Sequence, residues 1–264
     1  MSAGGVLHDG MAVLGRQLQR ARHAPALLVM TQTMPITMLL FFGYVFGSAL
    51  AVPGAEYREF LVPGLLAATA ANGLMTGMFT AAQDAHRGVM DRFRTLPMSR
   101  AAVPLGQTAA DLVTTGVGMV PLVLVGLAVG WRAEGGLPGL LGAFGVLLLF
   151  RFATAWLGTY LGLLAPNEES AGQLGSTTFV LPLLSSAYIP TAGLPDWLRA
   201  VAEWNPISAV ATAVRELCGN AGAEAVAGAA WPVAHPVAGA LGWSLVLLLV
   251  SVPLATRRFS RGGG

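Results

Sequence analysis

Long uncharged stretches alternate along the chain with short polar breaks. Residues 24–55 carry no charged side chain, and further apolar runs lie at 60–83, 112–130, 137–165, 171–189 and 237–255. A helix needs about 20 apolar residues to cross a bilayer. The pattern therefore predicts an all-α polytopic membrane protein of six transmembrane helices, the first at 26–50. Most breaks carry turn chemistry: Val52-Pro53-Gly54, Glu134-Gly135-Gly136 and Pro166-Asn167.

Amphipathic pieces fill the remainder. Leu7, Met11, Leu14 and Leu18 recur at helical spacing with Arg16 and Arg20 on the opposite face, which predicts an interfacial helix over 6–22. Two connections, 84–111 and 190–236, are too long to be mere turns, and function concentrates in such loops. In the first, Val89, Phe93 and Leu96 make a short apolar helical face. Asp91, Arg92 and Arg94 point elsewhere, and Pro97 ends the turn. In the second, Pro195 opens a helix with Trp197, Leu198 and Val201 on its apolar side. Asn205 caps another helix, with Pro206 in its first turn and Ile207, Val210 and Val214 along one stripe.

Composition narrows the class. Of 264 residues, 55% are hydrophobic and 11% charged, with a mean hydropathy of +0.65. Soluble domains carry about 25% charged residues. Soluble enzyme, secreted disulfide scaffold and disordered regulator are thereby excluded, and residues 1–264 read as one transmembrane domain. The first apolar run far exceeds the about 7–15 residues of a signal peptide's core, so it reads as a retained anchor. An arrangement with both termini inside places ten of the fifteen arginines on the cytoplasmic side and four outside, as the positive-inside rule requires.

Candidate chemistry is sparse. Lysine is absent, so the chain cannot form a Walker A loop, whose lysine reaches the nucleotide phosphates. Any ATP site belongs to another polypeptide. Cys218 is the lone cysteine, and the four histidines are scattered, so no metal-ligand spacing arises. Arg151 falls near the middle of span four with no carboxylate expected at its depth. A mid-membrane arginine costs at least about 2.5–3.5 kcal/mol. It therefore faces the bundle interior, an interface or water, either as a substrate or anion contact or bonded to backbone carbonyls and groups such as Thr154. Glu168 and Glu169 sit at the start of span five, where they complement the helix dipole or touch a cytoplasmic partner.

The run Asp91-Arg92-Phe93-Arg94-Thr95-Leu96-Pro97-Met98-Ser99-Arg100, followed by Gly106-Gln107 and Asp111, closely resembles a signature of type-2 ABC exporter permeases of the daunorubicin-exporter kind. Leu194-Pro195-Asp196-Trp197-Leu198, Trp204-Asn205-Pro206, Arg215-Glu216-Leu217 and Gly219 resemble that family's stretch before its last span. Ser185-Ser186-Ala187 departs from it, since many relatives carry Ser-Gly after the preceding proline. The resemblance covers nearly the whole chain. It implies a permease subunit of a bacterial plasma-membrane exporter that binds no cofactor itself, ATP and Mg acting through two copies of a cytoplasmic ATPase. The second permease copy is identical or paralogous, and the cargo is an amphipathic antibiotic or lipid-like metabolite.

On that resemblance Asp91, Arg92, Phe93, Arg94 and Leu96 contact the ATPase, with Arg16, Arg20, Glu168 and Glu169 as further candidates. The helices of 190–236 re-enter the outer leaflet, and Arg151, Trp197, Trp204 and Arg215 are candidates for the translocation path. The competing class is an ion-coupled secondary transporter, disfavoured because the six spans as drawn hold no central carboxylate or histidine.

Overall fold

In the computed structural model, residues 25–46, 56–86, 102–220 and 229–261 are described, and among them every regular element is helical. The expected interfacial helix at 6–22, with Arg16 and Arg20, lies outside the described residues. So does the loop helix carrying Asp91, Arg92, Phe93, Arg94 and Leu96.

Helix α1, Pro25–Phe41, runs into a π-helical turn at Phe42–Phe46. Helices α2, Tyr57–Ala71, and α3, Gly73–His86, form one rod interrupted at Asn72. Then come α4, Ala102–Val129, and α5, Gly136–Gly162. Next are α6, Glu168–Thr177, α7, Val180–Leu183, α8, Asp196–Trp204, and α9, Pro206–Cys218. The short α10, Trp231–Ala234, precedes the long α11, Pro236–Arg261.

Four of these segments are long and apolar enough to cross a membrane: Tyr57–His86, Thr108–Val129, Gly136–Gly162 and Pro236–Arg258. A shorter apolar helix, Gln32–Val45, lies in the first expected span. Apolar side chains also cover the outside. Val117 and Leu124 on α4, Leu141 on α5, and Leu245 and Leu249 on α11 are all exposed. So much contiguous exposed aliphatic surface suits hydrocarbon, not water. The chain is a multi-pass membrane protein.

Two expectations need correction. The run 171–189 is not one continuous helix: α6 ends at Thr177, a single turn follows at α7, and bends carry the chain onward. Ser176 and Thr177 donate to the carbonyls of Gly172 and Gln173, Thr178 donates to that of Gly175, and Pro182 supplies no N–H. Such local bonds and the missing donor compete with the helical ladder. The helix that holds span three, in turn, starts at Ala102, so Asp111 lies inside α4 rather than at the end of the loop before it.

The bundle is organised around α5, which packs on α2, α3, α4, α9 and α11. Its contact with α3 is the most extensive and is lined by small residues. A β-carbon at Gly77 would overlap the Ala155 carbonyl, one at Gly158 the Leu74 carbonyl, and one at Gly162 the Met78 carbonyl. This is the small-residue seam by which membrane helices approach backbone to backbone, where no hydrophobic effect drives them together. The core proper collects Phe60, Leu65, Met119, Leu147, Phe150 and Val210 from α2, α4, α5 and α9.

Helix α9 is buried along most of its length against α2, α5 and α11. Its ends follow the expected cap chemistry. The Asn205 side chain accepts from the Ile207 N–H at 2.9 Å, and Pro206 occupies the first turn. At the other end Gly219 takes the left-handed conformation, φ 77°, which lets its backbone lie against Glu134 and Gly135. The expected stripe of Ile207, Val210 and Val214 is buried.

Candidate functional site

The oddest residue in the sequence organises the site. Arg151, with its side chain 6% exposed, meets Asp111 of α4 through Nε to Oδ2 and Nη2 to Oδ1, both at 2.7 Å. Such a bidentate fork is the strongest arginine–carboxylate geometry. Nη1 also donates to the Thr69 carbonyl and Nη2 to Thr76 Oγ1, each at 3.2 Å. Thr154 does not reach the guanidinium. Its hydroxyl bonds the Ala70 and Arg151 carbonyls instead. Arg151 and Thr154 thus supply donors to carbonyls just before the Asn72 interruption, and one cation joins α2, α3, α4 and α5. The expectation of an arginine without a carboxylate at its depth is overturned, because α4 begins earlier than hydropathy alone suggests.

This ion pair sits at the wall of a cavity of about 650 Å³ between α1, α2, α3, α4 and the broken α6–α7 segment. Its lining combines apolar Met34, Met38 and Phe179 with polar Gln32, Thr69, Thr114, Asp111 and Arg151. Gln32 is 5% exposed and its amide oxygen has no hydrogen-bond partner. A neighbouring cavity of about 470 Å³ is lined by Leu157, Val201, Trp204 and Asn205. Asn72, Thr178 and Pro182 line both, so the interrupted parts of the two helical rods stand between them.

The other candidates are dispersed. Trp204 borders the second cavity, and Trp197, 71% exposed, borders neither. Arg215 is buried in a separate cluster. Its guanidinium carbon lies 3.6 Å over the Phe60 ring, Nε donates to the Phe60 carbonyl at 3.0 Å, and Nη2 to the Ser186 carbonyl at 2.7 Å. It pins α9 to α2 and to the bends after α7. Glu168 and Glu169 open α6 behind the Asn167 cap, whose side chain accepts from the Ser170 N–H at 2.7 Å.

Three residues escaped the sequence reading. Asp111 closes the loop 84–111 in the hydropathy pattern, and Gln32 is a polar residue inside the first apolar run. The third is Glu203. It is buried on α8, where it accepts from Arg199 Nε and from the Ala230 N–H, both at 2.7 Å. Its hydrogen bond and charge raise the Arg199 guanidinium above its ordinary pKa. The four-residue spacing of Arg199 and Glu203 was the available signal. Among the described residues, no cluster of His, Cys, Asp and Glu is arranged to hold a metal.

Known proteins match this sequence over most of its length. A model of the ABC-2 type transporter family matches residues 9–218. The daunorubicin resistance ABC transporter permease protein DrrB1 of Streptomyces coeruleorubidus is 37% identical over 216 residues, covering 79% of this chain and 75% of that protein. A match that runs from the N-terminal segment through the first long loop and into the second, to the end of α9, on a bundle of apolar helices, makes this chain a member of the ABC-2 type transporter family.

Proposed function

We propose that the chain is the transmembrane subunit of an ATP-driven exporter, moving an amphipathic small molecule such as an antibiotic or lipid-like metabolite out of the cytoplasm. The observation that carries this reading is the family match over 9–218, which includes the 84–111 loop and the outer-loop motifs as far as Leu217. The name of the Streptomyces relative supports a drug-like cargo. Two cavities within the helical bundle, beside interrupted helices, offer space for one.

In this reading both termini are cytoplasmic, and six spans are completed by α1 and the broken α6–α7 segment. Helices α8 and α9 form the re-entrant element. Two copies of a separate ATPase bind ATP and Mg and grip the helix around Asp91, Arg92, Phe93, Arg94 and Leu96, with Arg16, Arg20, Glu168 and Glu169 nearby. Phe93 fills a groove as an aromatic anchor, and the arginines pair with carboxylates. Closure of the ATPase pair tilts the spans of two permease copies, identical or paralogous, and opens the path outward.

An ion-coupled carrier would call on a carboxylate inside the bundle such as Asp111. Asp111 is instead forked to Arg151, and membership of the ABC-2 family favours an energy source in another chain.

The test is purification of the tagged protein from its native membrane in mild detergent. A stoichiometric partner with a Walker A motif is expected. Phe93→Ala with Arg94→Ala should leave the permease inserted while abolishing its stimulation of that partner's ATP hydrolysis. Active membranes that yield the permease repeatedly without an ATPase would overturn the reading, and unchanged stimulation would overturn the loop's role.

A further inference from the structure

The larger cavity has a definite chemical polarity, set by where its hydrogens are already committed. Thr69, Thr76 and Thr114 donate to the carbonyls of Leu65, Asn72 and Ala110 on their own helices. Their hydroxyls therefore turn lone pairs, not protons, towards other groups. Arg151 faces the cavity with little surface, since its side chain is 6% exposed and four N–H bonds are already made within the bundle. The Asp111 side chain is 19% exposed, so the carboxylate is the charged group that retains open surface. Among the described lining residues Asp111 is thus the charged group open to the cavity; Asn72, Ser176 and Tyr188 add neutral polar groups to a wall otherwise largely thioether, aromatic and aliphatic. At about 650 Å³ the space falls among those that take drug-sized ligands.

We propose that this cavity is a ligand site within a single subunit, binding an amphipathic molecule whose polar end is neutral or cationic and donates N–H or O–H bonds to Asp111. Arg151 is its positioning residue: it fixes the carboxylate by the fork and leaves the outer lone pairs to the ligand. An anionic polar end is rejected, because it would face a carboxylate and hydroxyl lone pairs with no accessible positive charge in return. The inference rests on the exporter reading and assigns that exporter a substrate class and a place to hold it.

The test uses the full chain in phosphatidylcholine nanodiscs without any ATPase. Anisotropy is measured for rhodamine 6G, an amphipathic cation with N–H donors, and for 8-anilinonaphthalene-1-sulfonate, an amphipathic anion. Empty nanodiscs provide the blank. Saturable binding of one rhodamine per chain is expected, with no saturable binding of the anion. Asp111→Asn combined with Arg151→Gln removes both charges while keeping hydrogen-bonding shape, and should weaken rhodamine binding at least tenfold. Met75→Trp fills the partly exposed rim and should do the same. If the double variant fails to elute as a single species, Met75→Trp decides. Unchanged affinity in the folded variants, equal binding of the anion, one dye per two chains, or no saturable binding each overturns the proposal. Failure of the exporter reading would show separately, as a missing ATPase partner.

Discussion

Charge burial at single residues dominates this molecule. Removing one partner of the Arg151–Asp111 fork strands a charge in the bundle, so Arg151→Ala should cost about 3–5 kcal/mol in stability. Detergent unfolding midpoints of Arg151→Ala, Asp111→Asn and Asp111→Asn/Arg151→Gln, combined as a double-mutant cycle, read this directly. The paired change should recover most of the loss. Arg215→Lys removes a planar fork from two carbonyls and the Phe60 face, and an ammonium cannot replace it. A loss of about 1–3 kcal/mol is expected on the same assay. Cys218, 1% exposed, should react with a maleimide only after denaturation, which makes the lone cysteine a convenient report of folding. Sequence alone marked Arg151 as anomalous but could not supply its partner, 40 residues away on another helix. Hydropathy drew span three from Leu112, one residue past the carboxylate that mattered.

Among elements, α8 and α9 were the most legible, since Pro195, Asn205, Pro206 and Gly219 each act through their own backbone neighbours. The break in span five was not, because it depends on several serine and threonine hydroxyls choosing local carbonyls over solvent or a partner. The α3–α5 seam was likewise hidden, as Gly73, Gly77, Gly158 and Gly162 look like ordinary membrane composition until the two helices are seen to share them. Gly77→Leu or Gly158→Leu should force the pair apart at about 1–3 kcal/mol or more. Gly145→Ala, on the same α5 but with nothing within 4 Å of the added carbon, should be neutral or stabilising by up to about 1 kcal/mol. Thermal midpoints in detergent separate the two outcomes.

At the scale of the whole molecule, the class followed from composition, the absence of lysine and the two loop motifs. The relation between helices came from contacts that no local pattern encodes. The arginine distribution predicts cytoplasmic termini: a C-terminal green fluorescent protein fusion should fluoresce, and a C-terminal alkaline phosphatase fusion should stay inactive. The reverse result would invert the topology.

The glycine seam also has a mechanical consequence. Side chains between two helices act as springs, since rotamers shift and gaps open under load. Carbonyl against α-carbon leaves almost no such compliance, so α3 and α5 translate as one stiff beam. On the proposed exporter mechanism, force entering at the His86 end of α3 would reach the segment of α5 that holds Arg151 with little damping. The fork to Asp111 is where that beam meets α4, and on the same mechanism it is the joint that would either carry the stroke across or give way to it.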